Sequence, residues 1–194
     1  LEIKKLKKPI GKQDQYLCGN KGFNSFTFFN NNNVKKNNLS CSKIDTLTRL
    51  SNDFYLIPTY KERNSDLVLS NIQNDSKSVE KLLEIREIVN SFLLFDDDRD
   101  YKIEEFFNKC VKDSWIIKKS LSQVMSNNLK EQYELIDKLI PNNWIRLIGA
   151  GNGGYFLISS RLKVNEINKI SENFGVRGIF KANISQEGVS SYSI

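Results

Sequence analysis

The chain has 194 residues, 39% of them hydrophobic, and carries 29 Lys and Arg against 23 Asp and Glu for a net charge of +6. This is enough to bury a core and to build one domain with part of a second; the absence of histidine excludes Ser-His and Cys-His nucleophiles and any imidazole-ligated metal. No apolar run reaches membrane-spanning length, no signal-peptide pattern opens the chain, and the lysines are scattered among acids, so a soluble, cytoplasmic protein with no membrane or nucleic-acid partner is expected.

In chain order, Gly11-Lys-Gln-Asp-Gln-Tyr16, then Gly19 and Gly22-Phe23-Asn24, read as a loop that enters a short helix and turns into a strand at residues 25–29. Asp14 falls in the first turn of that helix. The helix dipole favours a carboxylate there and keeps it ionised, which suits a group that accepts or orients a hydroxyl proton, although an Asp at this place is also a common helix-start residue. Asn30 to Asn33 read as a hairpin turn before Val34, so that residues 1 to about 50 hold a short helix and one or two hairpins. An apolar strand follows at 53–59. Asn74-Asp75-Ser76 starts a helix in which Val79, Leu82, Leu83, Val89 and Leu93 recur at helical spacing, interrupted by Asp96-Asp97-Asp98. Adjacent carboxylates on an irregular stretch face water, so no metal site is expected there. The three cysteines, Cys18, Cys41 and Cys110, are unpatterned and read as reduced thiols.

A third helix is expected from about Asp113, with Ile117, Leu121, Val124 and Met125 on one face, and a fourth from Glu131 to Ile140, stopped by Pro141. Two short apolar strands, 144–148 and 155–158, then flank Gly149-Ala150-Gly151-Asn152-Gly153-Gly154. Four of the chain's ten glycines fall in these six positions. Such a loop permits positive φ and close approach, which fits either a phosphate-holding nest of backbone N–H groups or a place where two backbones pack. No Lys follows it as in a P-loop, and a strand rather than a helix comes next, unlike the dinucleotide fingerprint. A helix at 165–173 and a last strand at 176–184 complete an α+β pattern of antiparallel strands and helices. Trp115 and Trp144 are expected in the core, while Lys118 and Lys119 read either as solvated or as reaching an anionic substrate.

Taken together, the segments at Gly11 to Asn24 and Gly149 to Tyr155 resemble the sugar-kinase branch of the GHMP kinase family, most of all its D-glycero-D-manno-heptose 7-phosphate kinases. Phe54-Tyr-Leu-Ile-Pro-Thr59 with Arg63 and Trp115-Ile-Ile-Lys118-Lys119-Ser-Leu121-Ser122 resemble two further family segments in the family's order. Four departures stand out. Asn152 replaces a glycine, Tyr155 a Phe, Leu17-Cys18-Gly19-Asn20 an Ala-rich run, and Tyr60 follows Thr59 where the family has Gly.

The resemblance implies that residues 1–50 are the tail of an S5-like first domain and residues 51–194 a ferredoxin-like C-terminal domain. It implies ATP-dependent transfer of the γ-phosphoryl group to a sugar hydroxyl, with a heptose 7-phosphate as acceptor. Asp14 would be the catalytic residue, Lys12 and Gln13 would lie near the substrate or the moving phosphoryl group, and Gly149, Ala150, Gly151, Asn152, Gly153 and Gly154 would form the loop against the phosphate region. ATP and Mg²⁺ would be held largely by an N-terminal half with a Gly-Leu-Gly-Ser-Ser type segment, which has no match here. With Leu1 first and Met125 the single methionine, the chain reads as the C-terminal portion of such a kinase, inactive alone. The alternative is a non-catalytic binding or assembly module derived from a kinase.

Overall fold

A computed structural model describes residues 13–29, 31–61, 75–121, 124–141, 143–149, 151–160, 162–174 and 178–185, without the side chains of residues 14, 164, 173 and 174. Helix α1 (Gln13–Cys18) leads into an antiparallel hairpin, β1 (Ser25–Phe28) and β2 (Val34–Asn37). The expected turn is present, with Asn32 at φ 68°. Tyr16 from α1 packs on Phe26 and Phe28 of β1, at centroid separations of 5.6 and 5.5 Å, which seats the helix on the hairpin.

The remaining elements are α2 (Cys41–Ser51), β3 (Phe54–Pro58), α3 (Ser76–Leu94), α4 (Asp100–Lys119), α5 (Asn127–Leu139), β4 (Trp144–Leu147), β5 (Tyr155–Ser159), α6 (Val164–Phe174) and β6 (Phe180–Lys181). Four strands form one antiparallel sheet in the order β4-β5-β3-β6. With helices inserted between the first and second strands and one helix between the third and fourth, this is a ferredoxin-like plait.

The strand period of two sorts the sheet's side chains. Ile57, Ile145, Leu147, Phe156 and Ile158 fall on one face and are buried with Leu129 and Ile136 of α5 and Ile170 of α6. Phe54, Trp144 and Leu157 lie on the other face with Leu50 of α2 and Val111 of α4. Both tryptophans are core residues, as expected; Trp144 Nε1 donates to Asn108 Oδ1 at 2.8 Å. Among the described residues, no helix is long and apolar enough to cross a membrane.

In place of a second hairpin, residues 41–51 form helix α2. Ser40 caps it, accepting from the Lys43 N–H at 3.3 Å, and Leu47 and Leu50 at helical spacing pin it on α4. Its Lys43 is buried and donates to Leu93 O at 2.8 Å, a cation at the C-terminal end of α3 where the helix dipole favours it. Burial pushes the Lys43 pKa down, and the nearby Asp96 and Asp98 oppose that shift. The acidic stretch thus serves the packing of α2: Asp98 accepts from Ser42 Oγ at 2.9 Å, while Asp97 accepts from Arg99. Helix α4 begins at Asp100 instead of near Asp113, because Phe106 and Phe107 extend its apolar stripe backward onto Phe92. Of the strand expected at 176–184, residues 178–184 are described, and β6 takes in only Phe180 and Lys181 of them. In α3, Val79, Leu82, Leu83 and Val89 are half exposed, whereas Ser78 and Phe92 are buried.

Strand β3 ends in a strained residue. Tyr60 has φ 50° and a largely exposed side chain. Left-handed geometry costs a non-glycine residue roughly 1–2 kcal/mol. Part of any gain on inserting glycine is offset by its larger unfolded-state entropy. Tyr60→Gly is expected to raise unfolding stability by about 0.5 kcal/mol, read as a higher denaturant midpoint at unchanged m-value.

Candidate functional site

A cleft of about 460 Å³ runs between α1 with the β1 hairpin on one side and α3 with α4 on the other. Its walls are mainly apolar, with Phe23, Phe26, Phe92 and Val111, and a few polar groups converge on it: Gln13, Asn24, Ser114, Arg86 and Arg146. A wider groove of about 770 Å³ adjoins it along β1, but its one charged lining residue is Arg86, already paired with Glu87. The first cleft is therefore the chemically equipped one.

Gln13 lies on the cleft lining at the start of α1. The backbone of Asp14 is in the first turn of that helix, as expected, while its side chain, Lys12, Arg63 and Ala150 lie outside the described residues.

On the opposite side, Arg146 is the charged residue of an otherwise apolar β4, in register with Leu157. Burial pushes its pKa down. Ser114 and Lys118 stand one turn apart on α4. The buried Ser114 hydroxyl donates to Val111 O at 3.1 Å, which leaves its oxygen lone pairs directed away from the helix backbone. The Lys118 ammonium donates to Gly149 O at 2.7 Å. Its pKa is pushed down to about 8, first by burial and then by the neighbouring Arg146 cation. None of the described ion pairs includes Arg146 or Lys118. Lys119 points elsewhere, 4.4 Å above the Tyr133 ring.

The glycine loop joins β4 to β5 beneath this pair. Gly149, Gly151, Asn152, Gly153 and Gly154 have φ of 82, 119, 55, 146 and 94°. Every described loop residue is thus in the region that favours glycine, and Asn152 is the tolerated exception. The loop is tied internally. The Asn152 N–H donates to Val124 O at 2.7 Å and the Gly154 N–H to Lys61 O at 3.3 Å, while Thr59 donates to Gly154 O through its N–H and its hydroxyl. Lys61 Nζ bridges Ser126 Oγ and Asn152 Oδ1 at 2.9 and 3.1 Å. A Cβ at Gly151 would stand 3.0 Å from Val124 O and 3.1 Å from its Cα. The close approach that requires glycine at 151 is therefore to another stretch of backbone.

Arg146, Ser114 and Lys61 belong to none of the motifs legible in the sequence. An arginine inside the apolar run Trp-Ile-Arg-Leu-Ile was the available signal for the first; the other two are marked only by their spatial neighbours.

A ferredoxin-like plait bearing a cation-lined cleft is the class this chain defines. No family model matches the sequence and no curated protein is significantly similar to it. Among solved structures, the chain is similar to a mevalonate kinase (TM-score 0.56, 18% identity, 81% of this chain and 46% of that one). It is also similar to the mevalonate kinase of Methanococcus jannaschii (0.57, 17%, 80% and 46%) and to a Campylobacter jejuni protein named provisionally as a sugar kinase (0.50, 20%, 100% and 54%). The chain shares the fold of these GHMP-type kinases and spans about half their length.

Two outcomes follow from this geometry. Gly151→Ala must move the Val124 backbone or leave its own φ region, so it is expected to cost roughly 1–3 kcal/mol, visible as a lower thermal midpoint. Lys118 is expected to titrate near pH 8 in the folded chain, followed by NMR of its Cε. Since the unfolded side chain titrates near 10.5, the unfolded state holds more protons between these values. This group's contribution to stability therefore rises with pH through that window and is lost as pH falls through about 8. A midpoint at the ordinary lysine value would place Lys118 in water.

Proposed function

We propose that the chain is the C-terminal part of an ATP-dependent GHMP-type sugar kinase, with residues 1–50 the tail of its first domain and 51–194 its second. The reaction is transfer of the γ-phosphoryl group to a sugar hydroxyl, and a heptose 7-phosphate is the acceptor class the sequence resembles most. The observation that carries this reading is the cleft itself. Its lining holds both Gln13, the neighbour of Asp14 on α1, and Arg146 of β4, and the fold is shared with solved kinases.

In this reading Asp14 accepts or orients the proton of the attacking hydroxyl, and Lys12 and Gln13 stand beside the moving phosphoryl group, where fixed positive charge and positioning supply most of the catalysis. The apolar cleft walls exclude water and pack against the sugar ring. Among the described residues no three of His, Cys, Asp and Glu gather as metal ligands, and the charged lining of the cleft is cationic. These residues fit anionic reactants and not a metal ion, so no step assigned to this chain runs through Mg²⁺. ATP with Mg²⁺ is assigned largely to the half of such kinases that this chain does not span.

Asp14→Asn in the complete kinase is expected to keep sugar affinity while lowering kcat about 10²–10⁴-fold. Near-normal turnover would remove Asp14 from the mechanism. The 194 residues alone are expected not to phosphorylate a heptose phosphate, and ATP-dependent product formation by them would refute the assignment of the nucleotide to the other half.

A further inference from the structure

We propose that Arg146, Lys118 and Ser114 form a receptor for a phosphate monoester that the acceptor sugar already carries before transfer. This deepens the kinase reading and rests on it for the identity of the acceptor.

Three observations converge. Arg146 projects from a strand whose other side chains are apolar, lines the cleft, and has no ion pair or hydrogen bond among the described residues. A half-sequestered guanidinium with no partner among the described residues is costly, and its five fixed donors are matched by an oxyanion such as phosphate. Lys118, one turn from Ser114 on α4 and held to Gly149 O three residues beyond Arg146, supplies a second cation; burial and then the Arg146 charge disfavour its charging, and a dianion beside the two cations offsets both. Ser114, one turn from Lys118 and on the same lining as Arg146, adds a buried hydroxyl.

The placement also fits an acceptor better than a nucleotide. From Arg146 the cleft leads along apolar walls to Gln13 at the start of α1, the helix that carries Asp14. A sugar anchored by its phosphate at Arg146 lays its ring along those walls and directs a distant hydroxyl to the other side. The receptor is then a specificity device that separates phosphorylated from free sugars.

The test uses the 194-residue chain, with inorganic phosphate, mannose 6-phosphate, free mannose and ATP as probes in calorimetric and thermal-shift titrations. Phosphate and mannose 6-phosphate are expected to bind and raise the midpoint, and mannose is not. Arg146→Met is expected to weaken phosphate binding about tenfold or more, while its ligand-free midpoint equals or exceeds that of the unsubstituted chain because an unpaired buried charge is gone. Arg146→Lys, which keeps charge and bulk, should retain folding and lose part of the affinity, so the comparison survives if the Met variant fails to fold. Phosphate binding unchanged in both variants would overturn the receptor. So would ATP binding that is stronger than mannose 6-phosphate binding and lost on substitution, since the site would then serve the nucleotide. The kinase reading is judged separately by turnover of Asp14→Asn. Receptor behaviour without phosphoryl transfer in the complete protein would keep the receptor and remove the kinase.

Discussion

The backbone of the glycine loop lies against the backbone of Val124, and the turn from β4 into β5 depends on that contact. A Cβ at Gly151 would come within 3.0 Å of Val124 O, and the neighbouring Asn152 N–H donates to the same oxygen at 2.7 Å. Two stretches of chain approach so closely only where side chains are absent and φ is positive. The loop thereby reverses β4 into β5 in a register that brings Ile145 beside Ile158 and Leu147 beside Phe156, closing the larger core. It also presents Gly149 O to Lys118 and holds the link before α5 against the end of β3 through Lys61.

The distribution of charge follows a second constraint. Most described lysines and acids of this basic chain lie in water, where ion pairs such as Arg86 with Glu87 contribute little. The exceptions are a few sequestered cations. Lys43 is compensated: it caps α3 and faces Asp96 and Asp98, so its burial secures α2 on the plait. Lys118 is held to Gly149 O and feels the neighbouring Arg146 cation, and among the described residues neither has an ion-pair partner. A fold gains nothing from such a pair unless something anionic enters beside it, and strain of this kind accumulates at sites of function. Lys43 and Lys118, both lysines with lowered pKa, differ in their charged neighbours: Asp96 and Asp98 stand near the first, the Arg146 cation near the second.

Kinship in fold with mevalonate kinases extends over about half their length. Within that half the described elements form one continuous body, since α2 packs its Leu47 and Leu50 on α4 and so carries the hairpin side of the cleft with the plait. The cleft walls are thus positioned by the same apolar contacts that make the core, Phe92 packing there on Phe106 and Phe107.

Local physics was legible from the residues alone: the strands on either side of the glycine loop, the hairpin at Asn30 to Asn33, the helix starting at Asp75 and the burial of both tryptophans. Each depends on periodicity, capping or the conformational range of one residue type, all of which a short stretch of sequence contains. The start of α4, the full α2 and the shortness of β6 were not legible, because they are set by partners distant in the chain, such as Phe92 for Phe106 and Phe54 for Ala182. The site divides in the same way. Gln13, Asp14 and the glycine loop announce themselves as motifs, while the isolation of Arg146 arises only when the plait turns one alternate face of β4 toward α4 and leaves that side chain without carboxylate partners among the described residues. Sequence determined which segments could bend, pair and coil; the tertiary structure decided which charges would be left without company, because electrostatic isolation is a property of the surroundings and not of the residue.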